Sequence, residues 1–150
     1  KMNIKEIVKK ENILLNINAS SKFDAFDALA ESLKETGIVT NKELFIKDVL
    51  KREEEFSTGI GFGIAIPHAK SKYVTEASIA IGKLTGNILY ESIDDEPIYL
   101  MFMIAVPMQN NSDHLKILSM LSRKFMDEDF RNTLKMASSK DEIMRALELI

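Results

Sequence analysis

The chain has 150 residues, 45% of them apolar and 29% charged, with a net charge of −3 and no cysteine. That length fits one domain with its own core and leaves no room for two of ordinary size. Lack of cysteine excludes disulfides, thiol catalysis and Cys-based metal sites, and the mixed, slightly acidic charge speaks against nucleic acid as a partner.

In chain order, Asn12 to Ile17 ("NILLNI") reads as a strand. Ser20 or Ser21 then caps a helix with Phe23, Phe26, Leu29 and Leu33 at helical spacing, closed by Gly37. "TNKE" supplies a capping box, Thr40 with Glu43, for a second helix carrying Leu44, Phe45, Val49 and Leu50 to about Glu54. A glycine-rich loop from Ser57 feeds a strand at Ile64 to Ile66. Ala77 to Leu84 alternates as a strand, "TGN" at Thr85 to Asn87 reads as a turn, and Ile88 to Glu91 as a short edge strand. Ile98 to Val106 is apolar on both faces, so it belongs in the middle of a sheet covered on both sides. From Asn111 onward the pattern is helical: a stripe of Leu115, Leu118, Leu121 and Phe125, a second helix with Phe130, Leu134 and Met136, and a third capped by Ser139. The predicted fold is α/β, a single domain with a mixed β-sheet sandwiched between helix layers.

No window reaches the ~18 apolar residues of a membrane helix, and no apolar signal segment opens the chain; a soluble cytoplasmic protein is expected.

The chain has two histidines, and one ends the string "STGIGFGIAIPHAK", Ser57 to Lys70. His68 is expected one residue past a strand end, where α/β sheets bind ligands. Pro67 fixes its own φ and biases Ile66 toward extended geometry, giving the imidazole a stiff mount. Gly59, Gly61 and Gly63 are expected to let the backbone approach whatever His68 touches. The string is not a nucleotide-binding loop, since the spacing of G-x-x-x-x-G-K-[ST] is missing. His114 falls in the first turn of a helix that Asn111 or Ser112 would cap. A helix N-terminus disfavours imidazolium, so a neutral ring there can donate to a phosphate oxygen. Val106 and Pro107 precede it, so two strand ends are expected to bring His68 and His114 together. Either Lys51 or Arg52 could supply a cation, and the planar fork of arginine matches phosphate oxygens better.

Two distant histidines are too few for a zinc site, and no G-x-S-x-G occurs. What remains is histidine as nucleophile, its neutral nitrogen accepting a phosphoryl group as a phosphoramidate. Phosphoryl transfer asks mainly for positioning and charge neutralisation, and needs no cofactor or metal in this reading.

Arg52 to Lys70 ("REEEFSTGIGFGIAIPHAK") and Asp113 to Phe125 ("DHLKILSMLSRKF") resemble the fructose and mannitol type of enzyme IIA domain, from the bacterial phosphoenolpyruvate-dependent sugar phosphotransferase system. The resemblance spans nearly the whole chain, so residues 1–150 are expected to form one such domain. It implies that His68 is phosphorylated, on Nε2, that His114 donates a hydrogen bond to the phosphoryl group, and that Arg52 stabilises its charge. The implied donor is the phosphocarrier HPr. The implied acceptor is a cysteine of enzyme IIB, which links the domain peripherally to membrane enzyme IIC. Relatives in the nitrogen-linked branch keep the histidine but act by regulated binding. Phe62 stands where a smaller polar residue is expected. With Met108, it is assigned to an apolar docking face. Lys70 adds positive charge beside the phosphate.

Overall fold

The computed structural model describes residues 3–109 and 112–150. Two short 3-10 turns, Ile4–Ile7 and Lys10–Asn12, lead into β1 (Ile13–Ile17), followed by helices α1 (Lys22–Glu35) and α2 (Lys42–Glu55). Strands β2 (Gly59–Gly61), β3 (Ile64–Ala65), β4 (His68–Ser71), β5 (Ser78–Ile88) and β6 (Ile98–Pro107) come next. Helices α3 (Asp113–Lys124), α4 (Glu128–Met136) and α5 (Lys140–Leu147) complete the order. The mixed sheet runs β1-β5-β6-β3-β2, with β4 also on β6. β1 lies parallel to β5, and β3 and β4 parallel to β6, while β2–β3 and β5–β6 are antiparallel.

β6 shows why the sheet sits between two helix layers. Strand side chains alternate faces. Met101, Met103 and Ala105 join Phe26, Leu29 and Leu33 of α1 and Phe45 and Val49 of α2 in one core. Leu100, Phe102, Ile104 and Val106 join Ile117, Leu121, Phe130, Leu134, Ile143 and Leu147 of α3, α4 and α5 in the other. A strand apolar on both faces therefore buries both, as its sequence predicts. Phe102 meets Phe125 edge to face at 5.1 Å, a favoured aromatic geometry.

Side chains and backbone correct several sequence expectations. Ser21 caps α1 and Ser139 caps α5, each accepting a backbone N–H three residues on. The cap of α2 is Asn41, not Thr40; its side chain accepts from Leu44 N–H, while the Thr40 hydroxyl donates to the Tyr73 carbonyl. Thr85 to Asn87 form no turn but continue β5, with a register shift between Lys83 and Ile88, and no edge strand follows. The pairing with β6 is irregular there, but the strand does not end. The buried stripe of α3 is Ile117 and Leu121 running on to Phe125, whereas Leu115 is exposed. Phe23 and Met136 also face solvent. Ser112 occupies the N-cap position of α3 without a side-chain cap bond, and Asn111, the other expected cap, lies outside the described residues.

The segment leading to His68 behaves as one strand interrupted by a proline. Ile64 pairs with Leu100 and Ala65 with Met101; beyond the break, His68 pairs with Ile104 and Ala69 with Ala105. The offset is the same on both sides, so the register passes unbroken through Ile66 and Pro67. Pro67 has no N–H to give the ladder, but its carbonyl accepts from Ile104 N–H at 2.9 Å.

Candidate active site

His68 opens β4 and does not lie beyond a strand end as the sequence suggested. Its residue is only 3% exposed, yet it lines a cleft of about 250 Å³. Asp48, Lys51, Arg52 and Glu55 of α2 form one wall; Ala69 and Lys70 of β4, Met108 and His114 complete it. The three residues expected to act together, His68, His114 and Arg52, thus meet at one site. The two imidazole rings stand 5.1 Å apart, centroid to centroid, tilted by 51°.

Nδ1 of His68 lies 2.8 Å from the Ile66 carbonyl. A carbonyl only accepts, so Nδ1 carries the proton and Nε2 keeps the lone pair. Burial pushes the His68 imidazole down to about 4; the Ile66 hydrogen bond and the Glu53 carboxylate oppose that shift, while Arg52 and His114 add to it. The ring is therefore neutral at pH 7. His114 is lowered as well, first by burial and then by Lys70 and Arg52. Its Nε2 is buried and has no hydrogen-bond partner among the described residues. Arg52 is steadied from behind, where its Nη1 donates to the Phe56 carbonyl at 2.8 Å. Lys51 shares the cleft wall, so the structure places both cations considered from sequence at the site.

The glycines do not serve the cleft. A Cβ on Gly59 would lie 2.6 Å from Ser92 Cβ, one on Gly61 would face Asp94, and one on Gly63 would lie 2.6 Å from Tyr99 Cδ1. Close packing of the β2–β3 hairpin against residues 91–99 requires them, with φ of +95° at Gly61 and +76° at Gly63. Phe62, at φ +60°, does not line the cleft either. The Arg131 guanidinium stacks on its ring at 3.7 Å from the centroid. Met108, half exposed, stays at the cleft as expected.

Sequence reading missed a polar cluster beneath the site. Glu53, 8% exposed, accepts Thr58 N–H at 2.8 Å and the Thr58 hydroxyl at 2.6 Å. That hydroxyl lies 2.9 Å from the Tyr90 hydroxyl. Asp48 accepts from the buried Ser71 hydroxyl at 2.7 Å. One signal was present: "EEE" ends α2, where the helix dipole disfavours carboxylates.

The family described as "Phosphoenolpyruvate-dependent sugar phosphotransferase system, EIIA 2" matches residues 6–149. The fructose-specific EIIABC component of Bacillus subtilis (strain 168) is 40% identical over 143 residues, covering 95% of this chain and 22% of that protein. The fructose-specific EIIA component of Haloferax volcanii is 38% identical over 144 residues, covering 96% of this chain and 94% of that protein. Among solved structures, the nitrogen regulatory protein IIA-Ntr of Neisseria meningitidis superposes with a TM-score of 0.89 at 30% identity, over 96% of this chain and 98% of that one. Escherichia coli enzyme IIA-mannitol, solved in complex with phosphorylated enzyme IIB-mannitol, gives 0.80 at 24% identity, over 95% and 99%.

Proposed function

From the premise that this chain belongs to the EIIA 2 family of the phosphoenolpyruvate-dependent sugar phosphotransferase system, we propose that His68 is its phosphoryl acceptor, with His114 and Arg52 in support, and that residues 1–150 act as one such domain. One observation carries the reading: Nδ1 of His68 is committed to the Ile66 carbonyl, which leaves a neutral Nε2 lone pair in a cleft shared with His114 and Arg52.

The steps balance without a cofactor. Nε2 attacks the phosphorus of phospho-HPr; the new N–P bond forms as the donor's N–P bond breaks, and the donor imidazole leaves with the electron pair. As Nε2 gives up its lone pair, the His68 ring becomes electron-poor, and the Ile66 carbonyl holds the Nδ1 proton that must not be lost. Arg52 balances the phosphoryl charge, with Lys51 and Lys70 on the same cleft. The Nε2 of His114, buried and without a partner among the described residues, suits a phosphoryl oxygen when that nitrogen carries the ring proton. In the second half, a cysteine thiolate of enzyme IIB attacks phosphorus and His68 departs neutral, ready for the next cycle. Met108, exposed and lining the cleft, offers an apolar contact for these successive partners.

The test is incubation with phosphoenolpyruvate, enzyme I and HPr. Wild type is expected to gain an acid-labile, base-stable label, and His68→Ala none. A His68→Ala protein labelled like wild type removes His68 from the reaction. A second reading, a regulatory phosphoacceptor, is supported by the likeness to IIA-Ntr. Discharge of the label onto an enzyme IIB cysteine marks transport; binding that changes with phosphorylation, without transfer, marks regulation.

A further inference from the structure

We propose that Glu53 is a positioning residue for this phosphoryl transfer: through Thr58 and Ile66 it fixes the turn of α2 that carries Arg52 to the strand that carries His68. The inference rests on His68 as the acceptor.

Both carboxylate oxygens of Glu53 are taken by one residue. Oε2 accepts from Thr58 N–H and Oε1 from the Thr58 hydroxyl, a two-point clamp that fixes angle as well as distance. Because the Thr58 hydroxyl donates its single proton to Glu53, the Tyr90 hydroxyl is the donor in the contact between them. Thr58 passes the constraint on, as its carbonyl accepts Ile66 N–H at 3.0 Å. Ile66 in turn offers the carbonyl that receives Nδ1–H of His68. Held at its N–H by Thr58, Ile66 has little freedom to swing that carbonyl away. On the other side, Glu53 directly follows Arg52 in α2. The clamp thus ties the acceptor ring and the cation that must meet the same phosphoryl group, although they sit on different elements.

Stability alone does not account for Glu53. A buried carboxylate is costly to desolvate, and apolar side chains of similar volume commonly serve a core as well or better. A positional demand does account for it, because displacement of reacting groups by about 1 Å can cost on the order of 100-fold in rate. Glu53 makes and breaks no bond in the transfer.

The experiment compares Glu53→Ala with Glu53→Gln in the full chain. It reads the His68 tautomer by 15N NMR and the initial rate of labelling from phospho-HPr. Glutamine can still accept from Thr58 N–H and donate to the Thr58 oxygen, so Glu53→Gln is expected to keep Nδ1 protonated and label within about threefold of wild type; Glu53→Ala should mix the two tautomers and lose about tenfold or more. Should Glu53→Ala fail to fold, Glu53→Met takes its place, removing both acceptor oxygens at similar volume. Retention of either the wild-type tautomer or the wild-type rate in the folded deletion variant overturns the proposal, as does a Glu53→Gln protein as impaired as that variant. A wild type that takes no label counts against the acceptor role of His68, and the tautomer then decides the part of Glu53 by itself.

Discussion

The His68 and His114 rings lie 5.1 Å apart, centroid to centroid, although one opens a strand and the other sits in the first turn of a helix. β6 makes that meeting possible: it pairs with β4 along His68–Ser71 and ends at Pro107, shortly before α3 begins. If His114 donates to the phosphoryl group from this position, His114→Ala should slow labelling of His68 by about 100-fold, in the range of a lost preorganised donor. His114→Gln, whose amide can donate from a similar place, should recover much of that loss. Rapid-quench labelling measures both; equal rates in wild type and His114→Ala would remove the donor role.

Burial of His68 has a pH signature of known sign. The ring's value falls from 6.5 to about 4 on folding, so the unfolded chain binds the proton first as acid is added. The associated stability is complete above pH 6.5 and is lost as pH falls toward 4, in total roughly 3 kcal/mol. Urea midpoints from pH 7.5 down to 4 should therefore drop more steeply for wild type than for His68→Gln. Parallel curves would show that His68 is not buried neutral. In an NMR titration, the His68 ring should stay neutral through pH 6.

Gly63 and Gly86 separate a required glycine from an incidental one. Gly63 has φ +76°, and a Cβ there would sit 2.6 Å from the Tyr99 ring; around Gly86 nothing lies within 4 Å. Gly63→Ala should cost about 2–4 kcal/mol from left-handed strain plus overpacking. Gly86→Ala should fall within about 1 kcal/mol of wild type, either side. Thermal or urea denaturation of the two variants distinguishes them, and similar losses would contradict the packing described for the hairpin.

Phe62 carries opposing terms. Its φ of +60° disfavours a bulky side chain, while the Arg131 guanidinium on its ring compensates. Phe62→Gly should leave stability nearly unchanged, relief of about 1–2 kcal/mol being offset by a lost cation–π contact of about 0.5–2 kcal/mol. Arg131→Ala should then destabilise wild type more than it destabilises Phe62→Gly, as a double-mutant cycle would measure. Because Phe62 does not line the cleft, its replacement should leave labelling of His68 at the wild-type rate. A slow Phe62→Gly would return this residue to the docking face.

Much of this protein is written locally. Hydrophobic period and cap chemistry determined the helices, and the doubly apolar run Ile98 to Val106 determined a central strand and hence two helix layers. The proline–histidine string, with His114 and Arg52, named the candidate site, because rigid mounting and ring chemistry belong to the residues themselves. Tertiary structure alone decided the rest. Neighbouring segments drew the "TGN" stretch into an irregularly paired strand and set the hairpin glycines against residues 91–99. Contacts also sent Phe62 to Arg131 and brought Tyr90 onto the Thr58 hydroxyl that Glu53 holds. A charge run looks solvated in sequence whether or not a partner folds over it, since burial depends on residues far along the chain, and local pattern carries no record of them.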